Sequence, residues 1–283
     1  MRKIFFLPTE SGVDLECAMT RVASLLLLLV FCLVAAPGPA HAEFENAVAA
    51  HPDAPALHAL WLEGQARESD DQLGESADRW EELARALPGE AEPRWRLARI
   101  EWRLAERLPP DQKAERLERF QAAETHARAC LELAPDSAEC MFWLAAALGR
   151  ITTTKGVLES ARLAPVIADL IARAIALHPT HRDSPNDTTL GNLYHFSASF
   201  YRIVPDWFWL SWVLGVRGDK ERSVDFSRRA VAISPQRLDY QVELGAGLLC
   251  LGTRKAAPSS CARARTSCAT ASRWRRSPRR DST

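Results

Sequence analysis

The feature that most constrains the fold is a spacing of proline and leucine that recurs four times. Each proline follows a helix-like run with small or apolar residues seven positions apart, and precedes a leucine that adjoins an alanine or glycine. The runs carry Ala77 and Ala84, Ala123 and Cys130, Ile167 and Ala174, and Ser223 and Ala230; the prolines are Pro88, Pro135, Pro179 and Pro235; the leucine pairs are Leu97-Ala98, Leu144-Ala145, Leu190-Gly191 and Leu244-Gly245. The sequence distance from each proline to the following leucine is 9, 9, 11 and 9 residues. Because proline stops a helix and a small residue lets two helix backbones approach closely, the spacing predicts tandem helix pairs.

Helical periodicity supports this prediction. Met141, Leu144 and Leu148 fall on one apolar stripe of a helix wheel. The pattern resembles the tetratricopeptide repeat, a helix-turn-helix unit of about 34 residues, and Leu190-Gly191 followed by Tyr194 is its best match. We expect an all-α, right-handed, tetratricopeptide-like solenoid over residues 43–252, with an additional half-repeat near Leu57–Leu62.

The repeats depart from the standard unit in length. In a tetratricopeptide repeat, the leucine of the first helix and the proline after the second helix are about 25 residues apart. Here the corresponding distances from Leu97, Leu144 and Leu190 are 38, 35 and 45 residues. Each insertion falls between the two helices of its own repeat. Stacking would place these extended intra-repeat turns along one edge of the solenoid, as longer helices or loops, and that edge is the predicted functional surface.

Several segments resemble the T-component family of TRAP transporters, which is related to the eukaryotic regulators of microtubule dynamics. They are Trp143–Gly149, Lys155-Gly156, Leu177–His181, Leu190–Tyr194 and the aromatic insertion that follows. The resemblance covers about 180 residues. It implies a periplasmic, often lipid-anchored helical protein that assembles with a solute-binding subunit of a TRAP system and holds an apolar ligand. A generic scaffold for envelope proteins is the alternative.

Aromatic residues are concentrated between Tyr194 and Val216. One interpretation is ordinary core between neighbouring repeats, which the spacing of Phe196, Phe200 and Tyr201 favours. The second is a groove or pore lined by rings, since large rings anchor partners and apolar ligands; contact with a membrane surface is a third. The candidate ligand- or partner-binding residues are Trp95, Trp102, Trp143, Tyr194, Tyr201, Trp207, Trp209 and Trp212.

The N-terminal region indicates export. Residues 22–36 are apolar except for Ser24, too short a run to span a membrane, and Ala40 and Ala42 suit a signal-peptidase site. We interpret residues 1–18 as a mis-annotated leader, because its acids precede the apolar run, and 19–42 as the signal peptide. The mature chain is then periplasmic or secreted, without a transmembrane segment. Phe31 before Cys32 is too bulky for a lipoprotein signal, so lipid anchoring is disfavoured.

Cysteine and histidine spacing gives no metal site and the sequence predicts no cofactor. In an oxidising compartment Cys130 and Cys140 could form a disulfide, with lone buried thiols as the favoured alternative. Motifs for nucleophilic, phosphate-binding or metal-dependent catalysis are absent from the sequence, which predicts a non-enzyme. Asp183, Asp187 and His195 are the neighbourhood that a hidden enzyme would use.

Composition and charge separate the C-terminal tail from the rest. The chain is 47% hydrophobic and 25% charged, typical of a globular protein. Its net charge of zero combines a surplus of +8 in residues 253–283 with −8 in residues 43–252, so no nucleic-acid partner is expected for the folded part. The tail contains no Leu, Ile, Val, Phe or Met. We interpret it as a disordered frameshift product; a basic tail that binds nucleic acid or anionic lipid is the alternative.

Overall fold

A computed structural model describes residues 39–206, 212 and 215–256. Within this part of the chain the fold consists of ten helices and one short β-hairpin. The helices are α1 (Pro39–Ala50), α2 (Ala54–Ser69), α3 (Leu73–Ala86), α4 (Ala91–Arg107), α5 (Lys113–Leu133), α6 (Ala138–Lys155), α7 (Val157–Ala176), α8 (Thr189–Ile203), α9 (Lys220–Ile233) and α10 (Leu238–Ala256), and the hairpin strands are β1 (Arg182–Ser184) and β2 (Asp187–Thr188). The all-α, tetratricopeptide-like solenoid is confirmed.

Consecutive helices pack as pairs, α2 with α3, α4 with α5, α6 with α7 and α8 with α9. The four prolines of the sequence pattern each lie just beyond the second helix of a pair. The first helices also contact one another in series, from α4 to α6, α8 and α10. The region predicted as a half-repeat is a complete pair, preceded by α1, whose Phe44 and Val48 are buried in the same core cluster as Trp61.

Small residues occupy the helix–helix contacts as the pattern predicts. Ala98, Ala145, Ala123 and Ala174 have no exposed surface, and Gly191 is buried. A Cβ atom added at Gly191 would lie 3.0 Å from the Tyr240 hydroxyl, which shows how closely α8 and α10 approach. At Gly245, the equivalent position of α10, nothing lies within 4 Å, because α10 is the last helix of the described residues and no next first helix packs on it there.

The additional length between paired helices takes two forms. In the second and third repeats it is longer helix: α5 has 21 residues, and α6 and α7 have 18 and 20 residues separated only by Gly156. Gly156 has φ 110°, a backbone conformation that favours glycine, and it ends α6 where a sharp turn is needed. In the fourth repeat the additional length is the connection 204–219.

The β-hairpin is an element that the sequence analysis did not predict. It lies between repeats, in the connection from α7 to α8, whereas every insertion was expected within a repeat. Thr188 follows it as the N-cap of α8, with its hydroxyl accepting a hydrogen bond from the Gly191 amide at 3.0 Å. The longer distance from Pro179 to Leu190 accommodates this hairpin.

Cys130 and Cys140 form a disulfide between the end of α5 and the start of α6. Free thiols were the favoured alternative, but the short turn brings the two Cα atoms to 5.6 Å, within the range for a disulfide. The bonded pair is buried against Trp95 of α4. The disulfide therefore joins α5 to α6 covalently and packs against α4.

The predicted leader 1–18 and most of the predicted signal peptide 19–42 lie outside the described residues, as does the tail from residue 257. Helix α1 begins at Pro39, before the predicted cleavage site. None of the helices in the described ranges combines the length and apolarity needed to cross a membrane. Export, the cleavage site and the tail interpretation stay predictions.

Candidate binding cleft

The candidate site is a cleft between the third and fourth repeats. It is formed by α7, α8 and α9 and has a volume of about 150 Å³. Its lining is mainly apolar: Ala168, Ile171, Ala172, Ile175, Ser197, Phe200, Tyr201, Arg222 and Phe226. A cavity of about this size accommodates a benzene-sized group. The cleft can therefore take one apolar side chain or a similar portion of a small molecule.

A row of stacked rings borders the cleft. Tyr201 of α8 and Phe226 of α9 line the cleft and stack with 5.9 Å between ring centroids. Tyr194 of α8 lies outside the lining and stacks on Phe226 at the same distance. Two arginines lie over this row. The Arg222 guanidinium carbon is 4.4 Å from the Tyr201 ring centroid, and that of Arg229 is 5.8 Å from the Tyr194 ring centroid. These are cation–π distances, so the row combines apolar surface with positive charge.

The two arginines differ in their acidic partners. Arg229 pairs with Asp225 one helical turn earlier, at 3.0 Å. Among the described residues, no carboxylate pairs with Arg222, which is exposed at the edge of the cleft. A guanidinium that already lies over rings has five donors in a rigid fork and pairs readily with a carboxylate. Arg222 is therefore available to an acidic group on a ligand.

Local hydrogen bonds fix the position of Arg222. Asp219 is the N-cap of α9, and its carboxylate accepts from the amides of Glu221 and Arg222 at 3.0 and 2.9 Å. The Lys220 ammonium donates to the carbonyl of Arg202, at the end of α8, at 2.6 Å. The first turn of α9 is thus joined to the last turn of α8, although 16 residues connect the two helices.

The structure places the described residues of the predicted aromatic site in three separate locations. Trp95 is 5% exposed, and Trp102 and Trp143 are half-buried and in edge-to-face contact at 6.0 Å, between α4 and α6. Tyr201 lines the cleft, and Tyr194 is joined to it through Phe226. Trp207 and Trp209 lie outside the described residues, and Trp212 is 91% exposed in the connection 204–219. The six described residues therefore do not all line one cavity.

Sequence analysis missed the two residues of α9 that complete the cleft, Arg222 and Phe226. The sequence Lys220–Ile233 reads as an ordinary amphipathic helix, and nothing in it distinguishes Arg222 from Arg228 or Arg229. Phe226 could have been identified from the repeat pattern. It lies between Ser223 and Ala230, the buried small residues of the repeat pattern, so it had to lie beside the preceding helix.

The residues named for a hidden enzyme have separate structural partners. Asp183 pairs with Arg96 at 2.7 Å, and Asp187 accepts from the Asn192 amide at 2.7 Å. His195 stacks on the ring of Tyr240 at 5.0 Å. Burial raises the pKa of the Tyr240 hydroxyl, which therefore stays protonated and donates to Asn192. Within the described residues there is also no group of side chains arranged to hold a metal ion.

The chain was compared with protein families, with curated protein sequences and with solved structures. A family model described as regulator of microtubule dynamics protein 1-3 matches residues 63–187, from α2 to the hairpin. No curated protein sequence matches the chain significantly. Two solved structures are similar at 16% identity over 78% of this chain and 97% of theirs: a MamA RS-1 ArsTM double mutant, with a TM-score of 0.42, and MamA 41-end from Desulfovibrio magneticus RS-1, with a TM-score of 0.40. Similarity at these values assigns no function. Over residues 63–187, less than half of the chain, the sequence is similar to the regulators of microtubule dynamics.

Proposed function

We propose that the chain is a non-enzymatic binding module that docks a segment of a protein partner in the α7–α8–α9 cleft. The observation that carries this proposal is the juxtaposition of an apolar cavity with Arg222, a cation without an acidic partner in the described part of the chain. A partner segment would insert one apolar side chain between Ile171 and Phe226 and place a carboxylate on Arg222. Because rigid rings lose little entropy on binding, the ring row is suited to such contacts.

The cellular setting of this module is part of the proposal. The apolar N-terminal segment favours an exported protein, periplasmic or secreted. A TRAP-associated role, with a solute-binding subunit or an apolar small molecule as the ligand, is a second candidate. It is favoured by the match of residues 63–187 to the regulators of microtubule dynamics, to which the T-component family is related. A generic scaffold is the function that the geometry supports best.

Two substitutions test the cleft, each with a matched control on the same helix. Arg222→Glu reverses the charge at the cleft, whereas Arg228→Glu makes the same change at an exposed position that does not line it. Ala172→Phe fills the mouth of the cavity, whereas Ala176→Phe adds the same ring at an exposed position outside the lining. Losing one well-placed contact costs about 1–3 kcal/mol, or about 5- to 150-fold in affinity.

The measurement is recovery of the co-purifying partner from the native host with each full-length variant. We expect recovery to fall about tenfold with Arg222→Glu and Ala172→Phe and to be unchanged with both controls. Equal recovery from all four variants would rule out the cleft as the docking surface. A TRAP solute-binding subunit in the recovered material would favour the second candidate over a generic scaffold.

A further inference from the structure

On the side of α4, the β-hairpin places the carboxylate of Asp183 between two arginines. Asp183 of β1 accepts a hydrogen bond from Arg96 at 2.7 Å through one oxygen and pairs with Arg99 through the other. Both arginines belong to α4, more than 80 positions earlier in the chain. In a helical-repeat array each repeat contacts its neighbours, so a contact from the connection before the fourth repeat to the second is additional to the stacking.

The arginine pair is held in place by groups other than Asp183. The Arg96 side chain is 4% exposed, lies 4.1 Å from the Trp95 ring centroid and donates to Glu92 at 3.1 Å. The Arg99 guanidinium donates to Glu68 at 2.6 Å. These contacts fix both guanidinium groups before any ligand arrives. Binding a carboxylate between them therefore requires little reorganisation of α4.

Beside Asp183, the ring of His181, directly before β1, packs edge-to-face on Trp95 with 5.3 Å between ring centroids, and β1 itself lies at the surface. Residues 182–186 are exposed, and the Asp183 side chain retains 29% of its surface. The second acid of the hairpin, Asp187, faces the opposite way and pairs with Arg237 at 3.1 Å, at the start of α10. Lifting β1 would therefore break the Asp183 contacts while leaving the hairpin anchored at its other end.

Without Asp183, each arginine of the pair loses a hydrogen-bond acceptor. Asp183 accepts from one terminal nitrogen of Arg96 and from one of Arg99, whereas Glu92 and Glu68 accept from other nitrogens of the two groups. Two guanidinium N–H groups beside Trp95 are then open to a new acceptor. Such a site favours a carboxylate with two free oxygens.

We propose that Arg96 and Arg99 form a carboxylate-binding site that Asp183 occupies in cis and that an extended, aspartate-bearing segment of a partner protein occupies when β1 lifts. The hairpin itself shows the kind of segment that fits, a short extended strand with an aspartate flanked by small or polar residues. This site is distinct from the cleft of α7, α8 and α9 and does not depend on it. Since a tethered group competes at a millimolar effective concentration, the intact hairpin suppresses binding of free segments.

The test uses a fluorescent peptide with the sequence of residues 181–189 and the full-length chain. Asp183→Ala empties the site, and Ser184→Ala is the matched control in the same strand. We expect the peptide to bind the Asp183→Ala protein at least about tenfold more tightly than the wild type or Ser184→Ala, as measured by fluorescence anisotropy. In the peptide, Asp183→Asn should abolish this gain, whereas Asp187→Asn should preserve it.

A further substitution assigns the binding to the arginines. Arg99→Gln in the Asp183→Ala background should return the peptide affinity to the wild-type level. The proposal is wrong if the Asp183→Ala protein, shown by circular dichroism to be folded, binds none of the peptides or binds the Asp183→Asn peptide as well as the original.

Discussion

The contact between Gly191 and α10 gives a prediction that can be worked through from the structure. A Cβ atom in Gly191→Ala would lie 2.8 Å from the Thr188 hydroxyl oxygen and 3.0 Å from the Tyr240 hydroxyl. The Thr188 hydroxyl caps α8, and losing a cap costs about 1 kcal/mol. Overpacking costs a further ~1–3 kcal/mol, and the higher helix propensity of alanine returns about 1 kcal/mol. We expect a net destabilisation of about 1–3 kcal/mol.

Gly245→Ala makes the same change at the equivalent position of the next repeat, where nothing lies within 4 Å. There, only helix propensity acts, and alanine should stabilise the chain by up to about 1 kcal/mol. Each kcal/mol corresponds to about 2–4 °C in melting temperature for a domain of this size. Thermal unfolding followed by circular dichroism should therefore place Gly191→Ala below the wild type and Gly245→Ala at or above it. Equal melting temperatures for the two variants would refute the close approach of α8 and α10.

Three further predictions concern other contacts. Gly64→Ala should destabilise the chain by about 1–3 kcal/mol in denaturant unfolding, because its Cβ would lie 3.0 Å from the fully buried Trp80 ring; an unchanged midpoint would contradict this packing. Replacing Cys130 and Cys140 together by serine should cost about 2–3 kcal/mol in the same assay, and no loss would argue against the disulfide. Burial alone would raise the pKa of Asp183. A hydrogen bond from His181 and the charges of both arginines have a larger effect in the opposite direction, so the pKa lies well below its usual value. The ion pair of Asp183 therefore stabilises the fold fully well above about pH 4, and this stabilisation is lost progressively at lower pH. The difference in melting temperature between wild type and Asp183→Ala should narrow from pH 6 to pH 3. A constant difference would contradict the ion pair.

The repeat architecture could be predicted because its signals are local. Each signal lies at the position where it acts: the proline where a helix ends, and the leucine with its small neighbour where two helices touch. Ala98 and Ala145 are therefore fully buried, as their positions in the pattern require. Gly245 has the same pattern but no contact. The pattern specifies which face a helix offers, and burial of that face depends on a further helix.

The long-range polar contacts could not be predicted from local sequence. Helix α4 is rich in arginine and reads as a solvated surface, yet Arg96 is buried because Glu68, Glu92 and Asp183 surround it. Two of these acids lie 28 and 87 positions away along the chain. Charge pairing over such distances leaves no periodic signal, and the hairpin that carries Asp183 is too short to produce one.

The binding cleft was predictable only in part. The aromatic concentration after Leu190 pointed to Tyr194 and Tyr201, of which Tyr201 lines the cleft and Tyr194 stacks on its Phe226. The cavity itself requires α7 from the preceding repeat and α9 beyond a 16-residue connection. Its position depends on how three helices pack, which the spacing of residues along one helix does not specify.

Site-specific photo-crosslinking tests the central claim most directly, that the cleft of α7, α8 and α9 binds a protein partner. A diazirine amino acid close to leucine in size, which does not fill the cavity, would replace Ile175 in the lining of the cleft or the exposed Leu177 outside it, in the full-length chain expressed in its native host. We predict a covalent adduct to a single partner protein from position 175 and none from position 177. The absence of an adduct at position 175, or the same adducts from both positions, would contradict the account.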